Sequence, residues 1–223
     1  MKINADFSKP ALVKFSDSAW VPSPMPGVER RMLDRIGEEV ARATTIVRFA
    51  PGSAFSAHTH DGGEEYLVLE GTFQDEEGDF PVGSYVRNPP TSRHTPSAKD
   101  GATILVKLHQ FDPDDRTQIH VPSDGLDWDK QSDGGRKLPL HQDDNETVWL
   151  QEFAARTTVE IDAPDGLEVF VISGQIVQDT ETLDRWDWLR LPTGSQFNGV
   201  AGDEGARLWI KSGHLASLPK TPA

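Results

Sequence analysis

The stretch that decides the fold, residues 52–71, reads GSAFSAHTHDGGEEYLVLEG. His58 and His60 are separated by one residue, so in a β-strand their imidazoles point to the same face. The run Asp61-Gly62-Gly63 is typical of a turn, after which the chain can return antiparallel and bring Glu64 opposite the two histidines. This pattern predicts two imidazoles and a carboxylate on one surface.

A third imidazole, that of His94, follows a Pro-rich turn at residues 88–91. Three neutral imidazoles and one carboxylate suit a borderline divalent ion such as Zn, Fe(II), Mn, Ni or Co. A lone histidine is more simply a surface or core residue, but a His-x-His pair before a glycine turn and a glutamate indicates chelation. The sequence therefore predicts one divalent transition metal per chain.

Short runs rich in Val, Ile, Thr, Phe and Trp lie between scattered Gly and Pro residues, and this pattern predicts an all-β sandwich or barrel. The runs are TTIVRF (44–49), EYLVLE (65–70), TILVKL (103–108), VWLQEF (148–153), EVFVI (168–172) and RLWIK (207–211). Residues 29–42 are charged and carry Ile36-Gly37 near their centre. We expect a strand–turn–strand there rather than a helix.

The sequence contains an internal repeat. The run EYLVLEG at 65–71 recurs as EVFVISG at 168–174, and YVRNP at 85–89 recurs as WLRLP at 188–192, in both cases 103 residues later. Two matches at one offset favour a tandem duplication over chance similarity between β-rich segments.

The repeat divides the chain into three predicted parts. We expect a first barrel at residues 1–111, a linker at 112–135 and a second barrel at 136–223. The middle segment is polar and rich in Pro, Gly and Asp, a composition typical of connecting segments.

The second half supplies no imidazole at the positions that correspond to the histidines of the first. Residues 58–60 align with residues 161–163, or with 162–164 in the neighbouring register, and His94 aligns with Phe197. At most one or two carboxylates remain, which are too few for a transition-metal centre. We therefore predict that the second barrel lacks metal ligands.

Other histidines and tryptophans of the second half have structural interpretations. We expect His141 and His214 at the surface or in an interface. We expect Trp186, Trp188 and Trp209 to pack in the core, with the lining of an apolar ligand pocket as the alternative.

These residues resemble the sequence motifs of the cupin superfamily. The first cupin motif is Gly, five residues, His-x-His, three or four residues, Glu, six residues and Gly. Every spacing is met, by Gly52, His58, His60, Glu64 and Gly71. The six residues that precede the last Gly select Glu64 over its competitor Glu65.

The second cupin motif is Gly, five residues, Pro-x-Gly, two residues, His, three residues and Asn. Gly83, Pro89 and His94 match it, whereas Thr91 replaces the second Gly and Ala98 replaces the Asn. The resemblance implies a bicupin, that is, tandem double-stranded β-helix (jelly-roll) barrels with a metal inside the first. By resemblance, the metal ligands are His58, His60, Glu64 and His94.

Residues 42–108 resemble more narrowly the cupin domain of ChrR-type anti-sigma factors, and a related group of cupins that includes acetylacetone-cleaving dioxygenases. The resemblance rests on the double Glu, on the acidic turn at 75–78 and on YVRNPP at 85–90. ChrR-type proteins also have an amino-terminal zinc module built with Cys and His. That module is missing here, since the chain has no Cys and no His before His58.

The resemblance implies two alternative functions. The first is a small-ligand or oxidative-stress sensor in transcriptional regulation, with Zn as its metal, a small molecule in the first barrel, and a sigma factor or its regulator as candidate partner. The second is a mononuclear metal-dependent dioxygenase or lyase that acts on a small chelating dicarbonyl or acid with Fe(II), Mn or Ni.

Tyr66, Arg87 and Tyr85 are candidates for a second layer around the metal. Tyr66 lies two residues after Glu64, so strand alternation places it on the ligand face. Arg87 could help to bind an acid, with a surface salt bridge to the acidic turn at 75–77 as an equal alternative. Tyr85 is the weaker candidate.

The composition argues against several other classes of function. With 22 Lys and Arg against 36 Asp and Glu, the net charge is −14, which disfavours binding to nucleic acid. The absence of Cys excludes disulfides and thiolate metal sites. No apolar run approaches the roughly 18 residues of a membrane span, so we expect a cytoplasmic protein. We also expect a homodimer, because cupin barrels leave sheet edges that family members commonly pair.

Overall fold

The computed structural model describes residues 1–217, which form strands and turns and contain no helix. The predicted all-β class is confirmed. Among the described residues there is accordingly no helix that is long and apolar enough to cross a membrane.

The strands are β1 (Lys2–Ile3), β2 (Ala11–Val13), β3 (Val21–Pro22), β4 (Val28–Gly37), β5 (Ala41–Phe49), β6 (Ser53–Ala54), β7 (His58–Thr59), β8 (Glu64–Asp75), β9 (Gly78–Pro81), β10 (Tyr85–Asn88), β11 (Arg93–His94), β12 (Ser97–Ala98), β13 (Ala102–Leu108), β14 (Ile119–Val121), β15 (Asp129–Lys130), β16 (Arg136–Gln142), β17 (Thr147–Phe153), β18 (Thr158–Ala163), β19 (Leu167–Val177), β20 (Thr182–Leu183), β21 (Trp188–Leu191) and β22 (Ser195–Ser212). The charged segment at 29–42 falls in the hairpin of β4 and β5, so the predicted strand–turn–strand is confirmed.

The described chain forms two compact units. Unit 1 contains residues 1–5 and 19–125, and unit 2 contains residues 6–18 and the described residues from 126 onward. The change of unit at residues 125 and 126 lies inside the segment predicted as a linker, which contains β14 and β15. The last residues of the predicted second barrel, 218–223, lie outside the described part.

The segment at 6–18 differs from its predicted place in the first barrel. It carries β2, and β2 pairs antiparallel with β21 of unit 2. Sequence proximity favours a local partner, but here an edge strand of unit 2 provides the backbone hydrogen bonds. The amino-terminal segment therefore belongs to the unit whose other strands come much later in the chain.

Unit 1 is built around one antiparallel sheet with the order β1-β4-β5-β13-β8-β10-β14. Shorter antiparallel pairs, β6 with β12 and β8 with β9, extend it, and β7 with β11 forms a separate two-stranded sheet. Strands β8 and β13 lie in the middle of the sheet and are buried on both faces, which explains their continuous apolar sequences. Aromatic side chains fill much of the core, including Phe49, Tyr66, Phe73 and Phe80.

Unit 2 repeats this plan with the order β15-β16-β17-β22-β19-β21-β2. The series β5-β13-β8-β10 of unit 1 corresponds to β17-β22-β19-β21 of unit 2. The two runs that match at an offset of 103 residues lie in β8 and β19, at the same place in each sheet. The outermost strand comes from a different part of the chain in each unit, β14 in one and β2 in the other.

A buried charged row recurs in the two sheets. Glu65 on β8 lies opposite Arg87 on β10 and Lys107 on β13, and all three are buried. The row of unit 2 consists of Glu168, Arg190 and Lys211. Buried charges require partners, and opposite signs on neighbouring strands meet that requirement. The repeat therefore extends from the sequence to the register of ionisable side chains.

Two glycines mark a close approach of strands, one in each unit. Gly71 and Gly174 have positive φ angles of 70° and 73°. A Cβ at either position would lie 2.1 Å from a carbonyl oxygen, that of Gly101 or Gly205. Only glycine avoids both the backbone strain and the clash.

We predict that Gly174→Ala lowers the free energy of unfolding by about 2–4 kcal/mol, the sum of left-handed backbone strain and overpacking. Gly194→Ala is the matched control, because Gly194 has a φ of 75° but no atom lies within 4 Å of the position that an added Cβ would take. It should lose only the backbone contribution of about 1–2 kcal/mol. Chemical denaturation measures both, and equal losses would contradict a role for the close approach.

Candidate metal centre

A two-stranded pair brings the predicted ligands together. Strand β7 starts at His58 and strand β11 ends at His94, and these two residues are direct partners in the antiparallel register. His60 follows β7, and its backbone N–H donates to the carbonyl of Ser92 at 2.9 Å. The turn before β11 is tied back in the same way, since the N–H of Thr91 donates to the carbonyl of His60 at 2.9 Å.

The turn also accounts for a departure from the sequence motif. Thr91 stands where the second cupin motif has glycine, and its φ is 74°. This left-handed conformation favours glycine, so the position keeps the usual backbone geometry with an unfavourable residue. The backbone bonds to His60 hold the turn in place.

The three imidazoles form one cluster. A ligand nitrogen from each of His58, His60 and His94 lies within 4.8 Å of the other two. The ring centroids are 4.6–5.1 Å apart. His60 and His94 are buried, whereas His58 is partly exposed. Within residues 1–217, these three side chains form the group whose ligand atoms are close enough to share a metal ion.

Glu64 adds a carboxylate to the cluster. Its Oε2 lies 3.5 Å from Nε2 of both His60 and His94. Ligand atoms on one metal with bonds of about 2.1 Å lie roughly 3 Å apart when adjacent, so this spacing is near that of a shared ion. Glu65 faces the other side of β8, where its Oε1 accepts a hydrogen bond from the Tyr85 hydroxyl at 2.8 Å.

The hydrogen-bond partners of the ring nitrogens suit a metal-binding role. Nε2 of His60 and Nε2 of His94 are buried and have no hydrogen-bond partner among residues 1–217. Nδ1 of His58 lies 3.0 Å from the carbonyl oxygen of Ser56, and Nδ1 of His94 lies 3.0 Å from Oδ2 of Asp75. Partners at Nδ1 leave Nε2 available for a metal. A divalent ion would satisfy the two buried nitrogens and the carboxylate together.

The environment shifts the pKa values of two of the imidazoles in opposite directions. Burial lowers the pKa of His60, assisted by the neighbouring histidines and opposed by Glu64. Burial also acts to lower the pKa of His94, but the hydrogen bond with Asp75 and the nearby carboxylates outweigh it and raise that pKa. The surroundings therefore favour the neutral, ligating form of His60, whereas His94 holds its proton more strongly than a free imidazole.

Tyr66 lies on the ligand face, as strand alternation predicts. Its hydroxyl is buried and has no hydrogen-bond partner within the described chain. Its ring packs edge-on against Phe73 and Phe80, with centroids 5.1 and 6.0 Å apart. Burial, together with the carboxylates of Glu64 and other acidic residues, strongly raises the pKa of Tyr66. The hydroxyl therefore remains protonated and available as a donor.

The structure does not bring Tyr85 and Arg87 to the cluster. The register pairs Arg87 with Glu65, on the face of β8 opposite to Glu64. Arg87 contacts Oδ2 of Asp115 at 3.2 Å and lies over the ring of Phe111 at 4.1 Å. Its contacts with Asp115 and Phe111 and its pairing with Glu65 place Arg87 on the face of β8 away from the histidine cluster.

Three residues near the cluster are not identified as site residues by the sequence alone. The Asn88 amide donates to Oε2 of Glu64 at 3.2 Å, and Asp75 contacts His94. His109 has a φ of 54°, and a Cβ on Gly62 would lie 2.2 Å from its Nδ1. The acidic turn and the Asn-Pro-Pro run were visible in the sequence, but nothing in their spacing indicates which side chain they meet.

His141 and His214, which the sequence analysis expects at the surface or in an interface, are both buried within the described chain. Nε2 of His141 lies 3.1 Å from Oδ2 of Asp143, and Nε2 of His214 lies 2.9 Å from Oε1 of Glu168. Carboxylates compensate the imidazoles there and allow burial. The three tryptophans considered for a pocket, Trp186, Trp188 and Trp209, are also buried.

Comparison with known families and curated proteins gives one match. Residues 8–112 match the model of the ChrR cupin-like domain. No curated protein matches the chain.

Solved structures share the fold over nearly the whole chain. A proposed dioxygenase from Nostoc punctiforme is 18% identical with a TM-score of 0.77, over 97% of this chain and 87% of that one. An Escherichia coli pirin in complex with nickel(II) is 14% identical with a TM-score of 0.66, over 94% and 99%.

Oxalate decarboxylase of Bacillus subtilis, described with Mn(II) centres, is 14% identical with a TM-score of 0.61, over 91% of this chain and 77% of that one. These identities establish the fold alone. The family match places a ChrR cupin-like domain at residues 8–112, and the histidine cluster within these residues could hold a metal ion.

Proposed function

We propose that this protein uses one divalent transition metal, held by His58, His60, Glu64 and His94, as a small-ligand or oxidative-stress sensor in transcriptional regulation. The observation that carries the metal site is the pair of buried Nε2 atoms of His60 and His94, which have no hydrogen-bond partner among the described residues and lie beside Glu64.

The ligand set determines what such a site can bind. One carboxylate and three neutral imidazoles leave a divalent ion with a net charge of +1, which attracts an anionic oxygen donor. When bound, the ion supplies Lewis-acid or redox chemistry at its open positions. With Zn, the same four residues would supply all four of the protein ligands that a stable structural or sensing site uses.

The regulatory role is supported by the match of residues 8–112 to the ChrR cupin-like domain. We propose Zn as the metal and a sigma factor or its regulator as the partner. These 223 residues contain no Cys, so their own contact with that partner would use no thiolate zinc ligands. We propose a homodimer as the assembly.

A second candidate function is a dioxygenase or lyase that acts on a small chelating dicarbonyl or acid. The unpartnered hydroxyl of Tyr66 on the ligand face favours it within the described chain, because a protonated donor there can hydrogen-bond to an oxygen of a metal-bound molecule. In this alternative, Fe(II), Mn or Ni occupies the site and Tyr66 orients the substrate.

Elemental analysis of protein purified without added metal, combined with O₂ uptake on a panel of β-dicarbonyls and α-hydroxyketones, separates the two functions. We expect zinc at about one per chain and no uptake, given a closed four-ligand shell. Iron with substrate-dependent O₂ consumption would overturn the sensor and support the dioxygenase. A sigma-factor pull-down then tests the partner.

We predict that the double variant His58→Ala/His94→Ala loses stoichiometric metal without unfolding unit 2, because it removes two of three imidazoles from unit 1 only. Metal content per chain and the denaturation profile measure the two effects. His120→Ala is the control, since the exposed His120 lies outside the cluster and its variant should keep the metal. Stoichiometric metal in the double variant would contradict the site.

Metal affinity should also depend on pH in a defined direction. A proton and the metal compete for Nε2 of His94, whose pKa is raised above 6.5 in the metal-free protein. Affinity should therefore rise with pH through and beyond 6.5, by about tenfold per unit for one released proton, and level off above the raised pKa. Chelator competition across this range measures it, and a plateau reached below 6.5 would be inconsistent with the raised pKa.

A further inference from the structure

We propose that Asp75 is a positioning residue of the metal centre, whose carboxylate accepts a hydrogen bond from Nδ1 of His94 and so directs Nε2 of that imidazole at the metal. This inference rests on the proposed metal binding. It gives a role to the acidic turn at 75–78, which the ligand set leaves unexplained.

The contact between the two side chains is direct and shielded from water. Oδ2 of Asp75 lies 3.0 Å from Nδ1 of His94, and the side chains of His94 and Asp75 are 6% and 5% exposed. A charge-assisted hydrogen bond in such surroundings is stronger than one at the surface. Oδ1 of Asp75 accepts from the backbone N–H of Glu77 at 2.8 Å, so both oxygens of the carboxylate are held.

The hairpin that carries Asp75 is itself attached to the chain around His94. Oε2 of Glu76 accepts from the N–H of Thr95 at 2.9 Å. Oε1 of Gln74 accepts from the N–H of Lys99 at 3.0 Å. Side chains on either side of Asp75 thus attach this hairpin to the segment that follows His94, and these two bonds support the contact between Asp75 and His94.

The contact between Asp75 and His94 determines which ring nitrogen of His94 carries the proton. A neutral imidazole carries one N–H, and a carboxylate at Nδ1 retains the proton there and leaves the lone pair at Nε2. The same hydrogen bond makes the ring a more basic ligand. His58 has an uncharged partner at Nδ1, the carbonyl of Ser56, so the effect of a carboxylate is concentrated on His94.

The test compares the Zn(II) affinity of the full chain for three variants by chelator competition. Asp75→Ala should bind Zn(II) about 10–100-fold more weakly than the parent, as for other residues that orient metal ligands. Asp75→Asn should lose less Zn(II) affinity, because its amide oxygen still accepts a hydrogen bond from Nδ1 of His94. Asp79→Asn is the matched control, because the exposed Asp79 lies on the same hairpin and its Oδ1 accepts from the Gln74 side chain rather than from an imidazole.

A second readout reports on the imidazole itself. In the zinc-loaded parent protein, the Nδ1 proton of His94 should give a downfield NMR signal that exchanges slowly with water, and Asp75→Ala should broaden it. If Asp75 served only to hold the hairpin and did not bond to His94, this signal would be unchanged in Asp75→Ala. If Asp75→Ala does not fold, Asp75→Asn carries the same measurements.

The outcomes separate this inference from the proposed function. If the parent protein binds no Zn(II), Mn(II) or Fe(II), the proposed metal site fails. If the parent binds Zn(II) and Asp75→Ala binds it equally well, only the role of Asp75 is overturned. Equal losses in Asp75→Ala and Asp79→Asn would point to the summed charge of the hairpin and would also overturn the proposal.

Discussion

The two-residue alternation of β8 is the constraint on which the rest of the site depends. Glu64 and Tyr66 point to the histidine cluster, whereas Glu65 points to the opposite face and joins Arg87 and Lys107 in the buried charged row. Because β8 pairs on both sides, with β10 and β13, its register cannot slip without separating the buried Glu65 from the oppositely charged residues on its neighbours. The same strand therefore fixes the carboxylate of the candidate metal site and the buried charged row on its other face.

The candidate metal centre has an inner set of ligands and a carboxylate behind one of them. The three imidazoles, two of them buried, and the Glu64 carboxylate form the inner set, and Asp75 contacts the far side of the His94 ring. Asp75 and the nearby carboxylates raise the pKa of His94, and a divalent ion would compete with the proton there. Proton release and metal binding are thereby coupled at this imidazole.

The two units retain the same scaffold but not the same chemistry. The buried Glu, Arg and Lys recur at matching register in both sheets, and an aromatic residue donates to the Glu in each, Tyr85 to Glu65 and Trp188 to Glu168. The positions that correspond to the histidine ligands carry no imidazole in unit 2. The scaffold of a duplicated fold depends on burial and pairing, whereas a metal site depends on a few side chains that can be lost without unfolding it.

Much of this protein was determined by its sequence alone. Short β-rich runs predicted the all-β class, the offset of 103 residues predicted the repeated plan, and the spacing from His58 to Glu64 predicted side chains that lie together, because these properties follow from local periodicity. The contact of Asp75 with His94, the faces of Tyr85 and Arg87, the burial of His141 and His214, and the place of β2 in unit 2 were decided only by the tertiary structure. Each of these depends on the register between strands distant in sequence or on a long-range partner, which no local pattern encodes.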